Sequence, residues 1–263
     1  MNPLQATAAI ELLRRGEMEI EGRLVDASNA TLRVELTLDG ETARAVYKPI
    51  RGERPLWDFP PGPGPGGNLA GREVAAYEVS AAAGWGLVPP TILRDGPLGP
   101  GSVQLWLDDL AEEQLVDWVP AGSMPSDWCT IAAAQDEDGA SYLLAHADDP
   151  RLATLALFDA LINNADRKGA HVLLAADGHL AGIDHGVCFH AEPKLRTVLW
   201  GFAGRPIPAE LAERLDTLDP GSLAEHLTPA ELTALIRRRD RLREIGRYPQ
   251  PPSDRHIIPW PPI

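Results

Sequence analysis

The chain has 263 residues, of which 44% are hydrophobic and 24% are charged, a composition ordinary for a globular protein. Its 24 basic and 38 acidic residues give a net charge of −14, which argues against nucleic acids and anionic lipid surfaces as partners. Two cysteines cannot form a disulfide framework, and no apolar run is long enough to cross a bilayer. We therefore predict a cytoplasmic protein that binds no nucleic acid and does not insert into membranes.

Residues 17–24 and 31–38 alternate between apolar and polar side chains, as half-buried β-strands do. Asp39-Gly40 predicts a tight hairpin turn, and the Pro/Gly-rich run 60–67 predicts a loop. In chain order we predict a helix at 4–15, strands at 17–24, 31–38 and 43–50, a helix at 71–83, and strands at 91–94 and 102–107. The first three strands are expected to form an antiparallel meander with one solvent-exposed face.

The second half of the sequence favours helices. Apolar residues recur at helical spacing in 151–163, and further helices are predicted at 211–218 and 229–245. Thr228 and Glu231 have the spacing of a capping box at the start of the last helix. A small hairpin is predicted between the strands 171–175 and 179–184, and the proline-rich residues after 247 predict an extended or disordered tail.

A β-sheet with one helix, followed by a helical half that includes a small hairpin, is the outline of a kinase. We predict an α+β protein with a bilobal protein-kinase-like fold. Its N-lobe, residues 1–107, is an antiparallel β-sheet with one helix that binds nucleotide. Its C-lobe, residues 108–246, is mostly helical and holds the catalytic hairpin, and residues 247–263 form the tail.

The polar loop 163–171 lies between a predicted helix and a predicted strand, where rigid elements would hold it. Phosphoryl transfer needs a carboxylate to accept the proton of the attacking hydroxyl, and metal ligands under the nucleotide phosphates. Asp166 fits the first requirement. His171 stands where kinases place a metal-binding Asn, and Asp184, in the Gly-containing turn after the hairpin, fits the second carboxylate.

Lysine is rare in this chain, and one of the three lysines, Lys48, lies on the third predicted strand. A kinase requires a lysine at this place to hold the α- and β-phosphates, paired with a glutamate from a helix. Glu73 is the best candidate because its helix is the only one predicted after the strands begin in the N-terminal half. Glu78 is a weaker candidate on the same helix.

Four short motifs occur in order on these elements: Tyr47-Lys48-Pro49, Arg72-Glu73-x-x-x-Tyr77, Asp166-Arg167-x-x-x-His171 and Ile183-Asp184-x-Gly186. Over about residues 17–205 the chain resembles the bacterial phosphatidylinositol 3-/4-kinase-like family and, more distantly, the HipA-type kinases. The resemblance implies a kinase-like fold that binds ATP and Mg²⁺ or Mn²⁺ in its cleft.

By the same resemblance, Lys48 would bind phosphate, Glu73 would orient Lys48, and Asp166 would be the catalytic aspartate. His171 and Asp184 would be the metal ligands. Lys168, two residues beyond the catalytic aspartate, occupies a position often held by histidine in the family, and we include it with the catalytic residues.

The chain departs from kinase patterns in two further ways. It has no G-x-G-x-x-G sequence, so Ser28 and Asn29 in the first hairpin turn are the candidates for contacting the nucleotide phosphates. His171 replaces the usual Asn, and an imidazole is more natural for Mn²⁺ or Zn²⁺ than for Mg²⁺.

The sequence therefore predicts a kinase that transfers the γ-phosphoryl group of ATP to a hydroxyl of an unidentified protein or small-molecule acceptor. One alternative is a nucleotide-binding pseudokinase that acts as a regulatory scaffold, and another is an enzyme that transfers AMP. A zinc site formed by Asp184, His185, Cys188 and His190 is a weaker alternative. The spacing of these possible ligands matches no structural zinc motif.

Overall fold

The computed structural model describes residues 3–24, 29–54, 56, 58–59 and 67–263. The backbone divides into two compact units. The first comprises Met1–Asp108, Asp184–Val187 and Asp219–Leu232, and the second comprises Asp109–Ile183, Cys188–Leu218 and Thr233–Ile263. The loop predicted at 60–67 lies, except for Gly67, outside the described residues. No helix of the described residues is long and apolar enough to span a membrane.

The first unit contains an antiparallel sheet of five strands: β1 (Glu17–Arg23), β2 (Leu32–Leu38), β3 (Glu41–Pro49), β4 (Thr91–Gly96) and β5 (Gly99–Leu105). Their order across the sheet is β1-β2-β3-β5-β4. The helix α1 (Pro3–Arg15) precedes the sheet, and its Leu13 is fully buried in the same core as Tyr47 and Val103. These predicted elements are confirmed, with bounds shifted by a few residues.

Strand β2 shows why the sheet forms where the sequence predicts it. Its residues are alternately buried and exposed, so one face packs in the core and the other meets water. The turn into β3 places both Asp39 and Gly40 in the left-handed region, with φ of 53° and 86°. A two-residue hairpin requires this conformation, which explains the Asp-Gly pair.

The helix α2 (Leu69–Ala82) begins at Asn68, whose side chain accepts a hydrogen bond from the N–H of Gly71 at 2.6 Å. Two charged residues of α2, Arg72 and Glu73, are buried, each 2% exposed. Arg72 Nε and Nη2 donate to Glu231 Oε1 at 2.9 and 2.7 Å, so the arginine charge is neutralised within the first unit. This pairing allows a charged helix face to pack in the interior.

The second unit contains a three-stranded antiparallel sheet that has no counterpart among the predicted elements. Its strands are β6 (Val116–Pro120), β7 (Trp128–Gln135) and β8 (Ser141–Ala147), in the order β6-β8-β7. The sequence signal is weak because β7 contains three consecutive alanines and has no fully buried residue. Propensity and alternation are both poor guides to such a strand.

Three helices are predicted in the second half; two follow their predictions closely, and the one predicted at 211–218 ends at Arg214 and continues as a 3₁₀ turn. The three helices are α3 (Pro150–Ile162), α4 (Ala209–Arg214) and α5 (Pro229–Ile245). The predicted capping box is present, because Glu231 Oε2 accepts from the backbone N–H of Thr228 at 2.8 Å. The predicted hairpin is shorter than expected, with strands β9 (Val172–Leu174) and β10 (Leu180–Gly182).

The C-terminal segment 247–263 contains no helix or strand and is held by hydrogen bonds within the second unit. Trp200 Nε1 donates to the carbonyl of Ile257 at 2.8 Å, and the N–H of Gly169 donates to the carbonyl of Pro262 at 2.8 Å. Tyr248 is buried, and its hydroxyl donates to the carbonyl of Ala153 in α3 at 3.0 Å.

Candidate active site

In the first unit, three of the predicted site residues meet at one ammonium group. Lys48 Nζ lies 2.5 Å from Glu73 Oε1 and 2.8 Å from Asp184 Oδ1. The second carboxylate oxygen of Glu73 accepts a hydrogen bond from the N–H of His185 at 3.1 Å. The structure therefore contains the pairing between β3 and α2 that the sequence analysis predicts, and it brings Asp184 to the same lysine.

Local backbone geometry places Asp184 beside this pair. Asp184 adopts a left-handed conformation with φ of 61°, which is uncommon for a residue with a Cβ. Two residues later, a Cβ on Gly186 would lie 3.3 Å from Leu69 Cβ and 3.5 Å from Glu73 Oε1. The glycine thus permits close approach of this turn to α2, which explains the Ile-Asp-x-Gly pattern.

The ammonium of Lys48 attracts both carboxylates at this site. Burial alone would lower the pKa of Lys48, but the carboxylates of Asp184 and Glu73 outweigh burial and hold the pKa above its ordinary value. Burial raises the pKa of Glu73, while the ammonium of Lys48 and the N–H of His185 act in the opposite direction. Lys48 is consequently a permanent compact cation, a form suited to gripping phosphate oxygens.

In the second unit, the loop that carries Asp166 is fixed by a buried network that the sequence analysis does not predict. Arg167 is fully buried and makes two hydrogen bonds to Asp159, Nε to Oδ2 at 2.8 Å and Nη2 to Oδ1 at 3.0 Å. Its Nη1 donates to the carbonyls of His171 and Ile183 at 3.0 and 3.1 Å. Arg167 therefore ties α3, the loop and the hairpin together.

Asn164 completes this network. Its Nδ2 donates to Asp159 Oδ1 at 2.9 Å, and its Oδ1 accepts from the N–H of Asp166 at 2.9 Å. The sequence contains one clue to this arrangement, since Asp159 is an acidic residue among the apolar residues of α3. A charge inside an apolar helix usually has a buried partner.

Two more of the predicted site residues contact Asp166. Lys168 Nζ lies 3.3 Å from Asp166 Oδ2, and His171 Nδ1 lies 3.0 Å from the Asp166 carbonyl oxygen. Because a carbonyl only accepts hydrogen bonds, this contact assigns a proton to Nδ1 of His171, and in the neutral ring Nε2 then carries the lone pair. An imidazole in this form can act as a metal ligand.

The two residues predicted to contact the nucleotide phosphates are Ser28 and Asn29. Ser28 lies outside the described residues. Asn29 Oδ1 accepts a hydrogen bond from the N–H of Arg54 at 2.9 Å, so its side chain connects two backbone segments of the first unit. In the alternative zinc set, His190 Nδ1 accepts from the N–H of Glu192 at 3.0 Å and takes part in a local turn.

Solved structures with similar folds are kinase-like proteins. The structure of hydra Fam20 with sugar matches with a TM-score of 0.56 and 16% identity, covering 93% of this chain and 89% of that chain. The Golgi casein kinase with Mn/ADP bound matches with a TM-score of 0.54 and 14% identity, covering 93% and 76%. These matches confirm the kinase-like fold, with an antiparallel N-terminal sheet and a helical C-terminal region.

The sequence itself has a closer relative. The chain is 47% identical to protein Rv2133c of Mycobacterium tuberculosis over 266 residues, which covers 95% of this chain and 94% of the relative. The chain belongs to the same family as Rv2133c. No family model matches the chain. Membership of the phosphatidylinositol 3-/4-kinase-like family stays a prediction.

Proposed function

We propose that this protein is an ATP- and metal-dependent phosphotransferase that acts on a hydroxyl of a protein or small molecule. The observation that carries the proposal is the ion pair between Lys48 on β3 and Glu73 on α2. Kinases use this pair to hold the α- and β-phosphates of ATP. We include in the proposal membership of the bacterial phosphatidylinositol 3-/4-kinase-like family and a more distant kinship with the HipA-type kinases.

In this proposal the first unit provides the residues that bind the nucleotide. Lys48 contacts phosphate oxygens, and Glu73 keeps the ammonium in position. Lysine suits this role better than arginine because its charge is compact and its flexible stem reaches a single point. The Golgi casein kinase structure, which contains manganese and ADP, has the same type of fold and supports a nucleotide with a metal as the ligand.

The chemistry of the donor groups fits a divalent cation. His171 presents a ring nitrogen with a lone pair, because its Nδ1 contacts the carbonyl of Asp166, and Asp184 presents a carboxylate that is 49% exposed. We propose that His171 and Asp184 hold Mn²⁺ or Mg²⁺. When bound, the cation would neutralise charge on the nucleotide phosphates. Carboxylate with imidazole favours Mn²⁺ more than an all-oxygen set would.

In this proposal Asp166 is the catalytic base. Its carboxylate would accept the proton of the acceptor hydroxyl as the oxygen forms a bond to the γ-phosphorus. The bond between that phosphorus and the β–γ bridging oxygen breaks, and ADP leaves. We propose that Lys168, 3.3 Å from Asp166, contacts the transferred phosphoryl group.

A second candidate function is nucleotide binding without transfer. The observation that favours it is His171, which replaces the metal-binding Asn of active kinases. A pseudokinase of this kind would be stabilised thermally by ATP and would transfer nothing. An enzyme that transfers AMP would use the same nucleotide residues and a different phosphorus atom.

Transfer from labelled ATP separates these candidates. The purified full chain would be incubated with Mn²⁺ or Mg²⁺ and with ATP labelled on either the γ- or the α-phosphate, using the chain itself and casein as acceptors. We expect label to be transferred from γ-labelled ATP only, and Asp166→Asn to slow transfer about 10²–10⁴-fold. Transfer from α-labelled ATP would instead establish an AMP transferase, and thermal stabilisation by ATP without any transfer would establish a pseudokinase.

A further inference from the structure

The second unit contains a cavity of about 830 Å³, and none of the proposed kinase residues that the structure describes lines it. It is lined by the end of α3, the segment between 191 and 204, the helix α5 and the C-terminal segment. Sites for small molecules typically measure about 300–1,000 Å³. The volume therefore suits a small ligand.

The walls of this cavity carry a strong charge of one sign. Among the residues that the structure describes, five arginines and no acidic residue line it, although the whole chain has a net charge of −14. The arginines are Arg237, Arg238, Arg241, Arg247 and Arg255. In an acidic protein, such a basic lining produces a local positive potential that attracts anions.

The arginines on α5 divide into two groups according to their partners. Arg239 and Arg243 pair with acidic residues, Arg239 with Asp240 at 2.8 Å and Arg243 with Asp216 at 2.5 Å. Within the part of the chain that the structure describes, Arg237 and Arg241, one helical turn apart, form no ion pair with an acidic side chain. Like charges at this spacing weaken a helix slightly. An anionic ligand in the cavity would relieve this repulsion.

Hydrogen bonds fix the walls in place. Asn163 Nδ2 donates to the carbonyls of His190 and Glu192 at 2.9 and 2.7 Å, and its Oδ1 accepts from the N–H of Lys194 at 2.8 Å. Arg238 Nε donates to the carbonyl of Leu161 at 2.9 Å. The cavity is thus pre-formed, which lowers the entropic cost of binding.

Apolar side chains complete the lining. Trp200, Leu242 and Tyr248 are each less than 10% exposed, and Ile245 extends the apolar wall at the end of α5. These groups would cover the body of a ligand, while guanidinium groups bind phosphate or carboxylate through paired hydrogen bonds. We propose that this cavity binds a small amphipathic anion with a phosphate or carboxylate group on an apolar body.

Naphthyl phosphate is a suitable probe because it combines both features. Its binding to the full chain would be measured by isothermal titration calorimetry without nucleotide, beside naphthol and inorganic phosphate. We expect naphthyl phosphate to bind at least about tenfold more tightly than either fragment, since each fragment satisfies one part of the lining. Equal binding of naphthol and naphthyl phosphate would overturn the proposal, because the arginines would then contribute nothing.

Variants locate the binding. Arg237→Gln combined with Arg241→Gln should weaken naphthyl phosphate binding about tenfold or more, whereas Arg243→Gln, on the same helix but outside the cavity, should leave it unchanged. Ile245→Gln should weaken naphthyl phosphate and leave inorganic phosphate unaffected. An equal loss in Arg243→Gln would show nonspecific attraction to the helix and contradict the proposal.

Two further outcomes separate this site from other possibilities. Tight binding of polyglutamate with no binding of naphthyl phosphate would assign the arginines to an acidic protein partner and overturn the proposal. Lys48→Met should bind naphthyl phosphate as the original chain does, because Lys48 does not line the cavity. The result is thus independent of whether the protein transfers phosphate.

Discussion

Arg167 and Asp159 illustrate how residues that do no chemistry can determine a site. The two side chains are fully buried and joined by two hydrogen bonds, and Arg167 also contacts the carbonyls on either side of the hairpin. Arginine can do this because its planar group offers five donors in fixed directions. The position of Asp166 therefore depends on a buried pair in the second unit that contacts the loop carrying it.

Breaking this buried pair should be costly. We expect Asp159→Leu to destabilise the protein by about 3–5 kcal/mol, because the Arg167 charge is left buried without a partner. The double variant Asp159→Leu/Arg167→Met should lose less than Asp159→Leu alone. Urea denaturation measures both values. A double variant less stable than the single one would show that Arg167 stabilises the fold through its carbonyl contacts alone.

His146 makes stability depend on pH. It is fully buried, its Nδ1 donates to the carbonyl of Ala147 at 2.7 Å, and its Nε2 accepts from the N–H of Gly201 at 3.1 Å. Burial lowers the pKa of His146 below 6.5, and the nearby charge of Arg205 adds to the effect. On acidification the unfolded chain therefore binds a proton at this histidine before the folded chain does.

Folding stability should consequently fall as the pH drops below about 6.5, by up to about 1.4 kcal/mol per pH unit from this residue. His146→Gln should reduce the loss between about pH 7 and pH 5, and the exposed His256→Gln should not change it. Chemical denaturation at several pH values measures the difference. Identical pH dependence in the original protein and His146→Gln would refute this role.

At the scale of elements, the sequence predicts well those strands and helices whose apolar residues recur at a regular spacing. The strands around Lys48 and the helices α3 and α5 have clear patterns, and the bounds of α5 match the prediction. The sheet of β6, β7 and β8 has no such pattern, because the alanine-rich β7 carries no buried side chain that would indicate which face packs in the interior. The Lys48–Glu73 pair was predictable from residue types on known elements, whereas the Asp159–Asn164–Arg167 network depends on packing that no local pattern records.

The start of α2 offers a test of how an element positions a site residue. Asn68 caps the helix five residues before Glu73, so Asn68→Ala should destabilise the protein by about 0.5–2 kcal/mol. Asn68→Asp keeps an oxygen acceptor and should retain most of the stability. Thermal or urea unfolding of the two variants checks this expectation. A loss in Asn68→Asp equal to that in Asn68→Ala would exclude the capping bond as the cause.

At the scale of the whole molecule, the net charge of −14 coexists with two local sources of positive charge, one of them paired with carboxylates. One is Lys48, neutralised by Glu73 and Asp184 in the first unit, and the other is the arginine-lined cavity in the second. An acidic surface repels large polyanions, while individual buried or enclosed cations still bind small anions at short range. The net negative charge thus argues against large anionic partners and is compatible with a nucleotide as the ligand.

The most direct measurement of the proposed function is γ-phosphoryl transfer from ATP by the original chain, Lys48→Met and Lys194→Met. Lys48→Met removes the ammonium that pairs with Glu73, and Lys194→Met is the matched control because no role is assigned to its ammonium. We predict that transfer falls by at least about tenfold in Lys48→Met, the minimum for losing a charge-assisted phosphate contact. Lys194→Met should retain the original rate. Equal rates in all three proteins would contradict the assignment of Lys48 and, with it, the kinase site proposed for this chain.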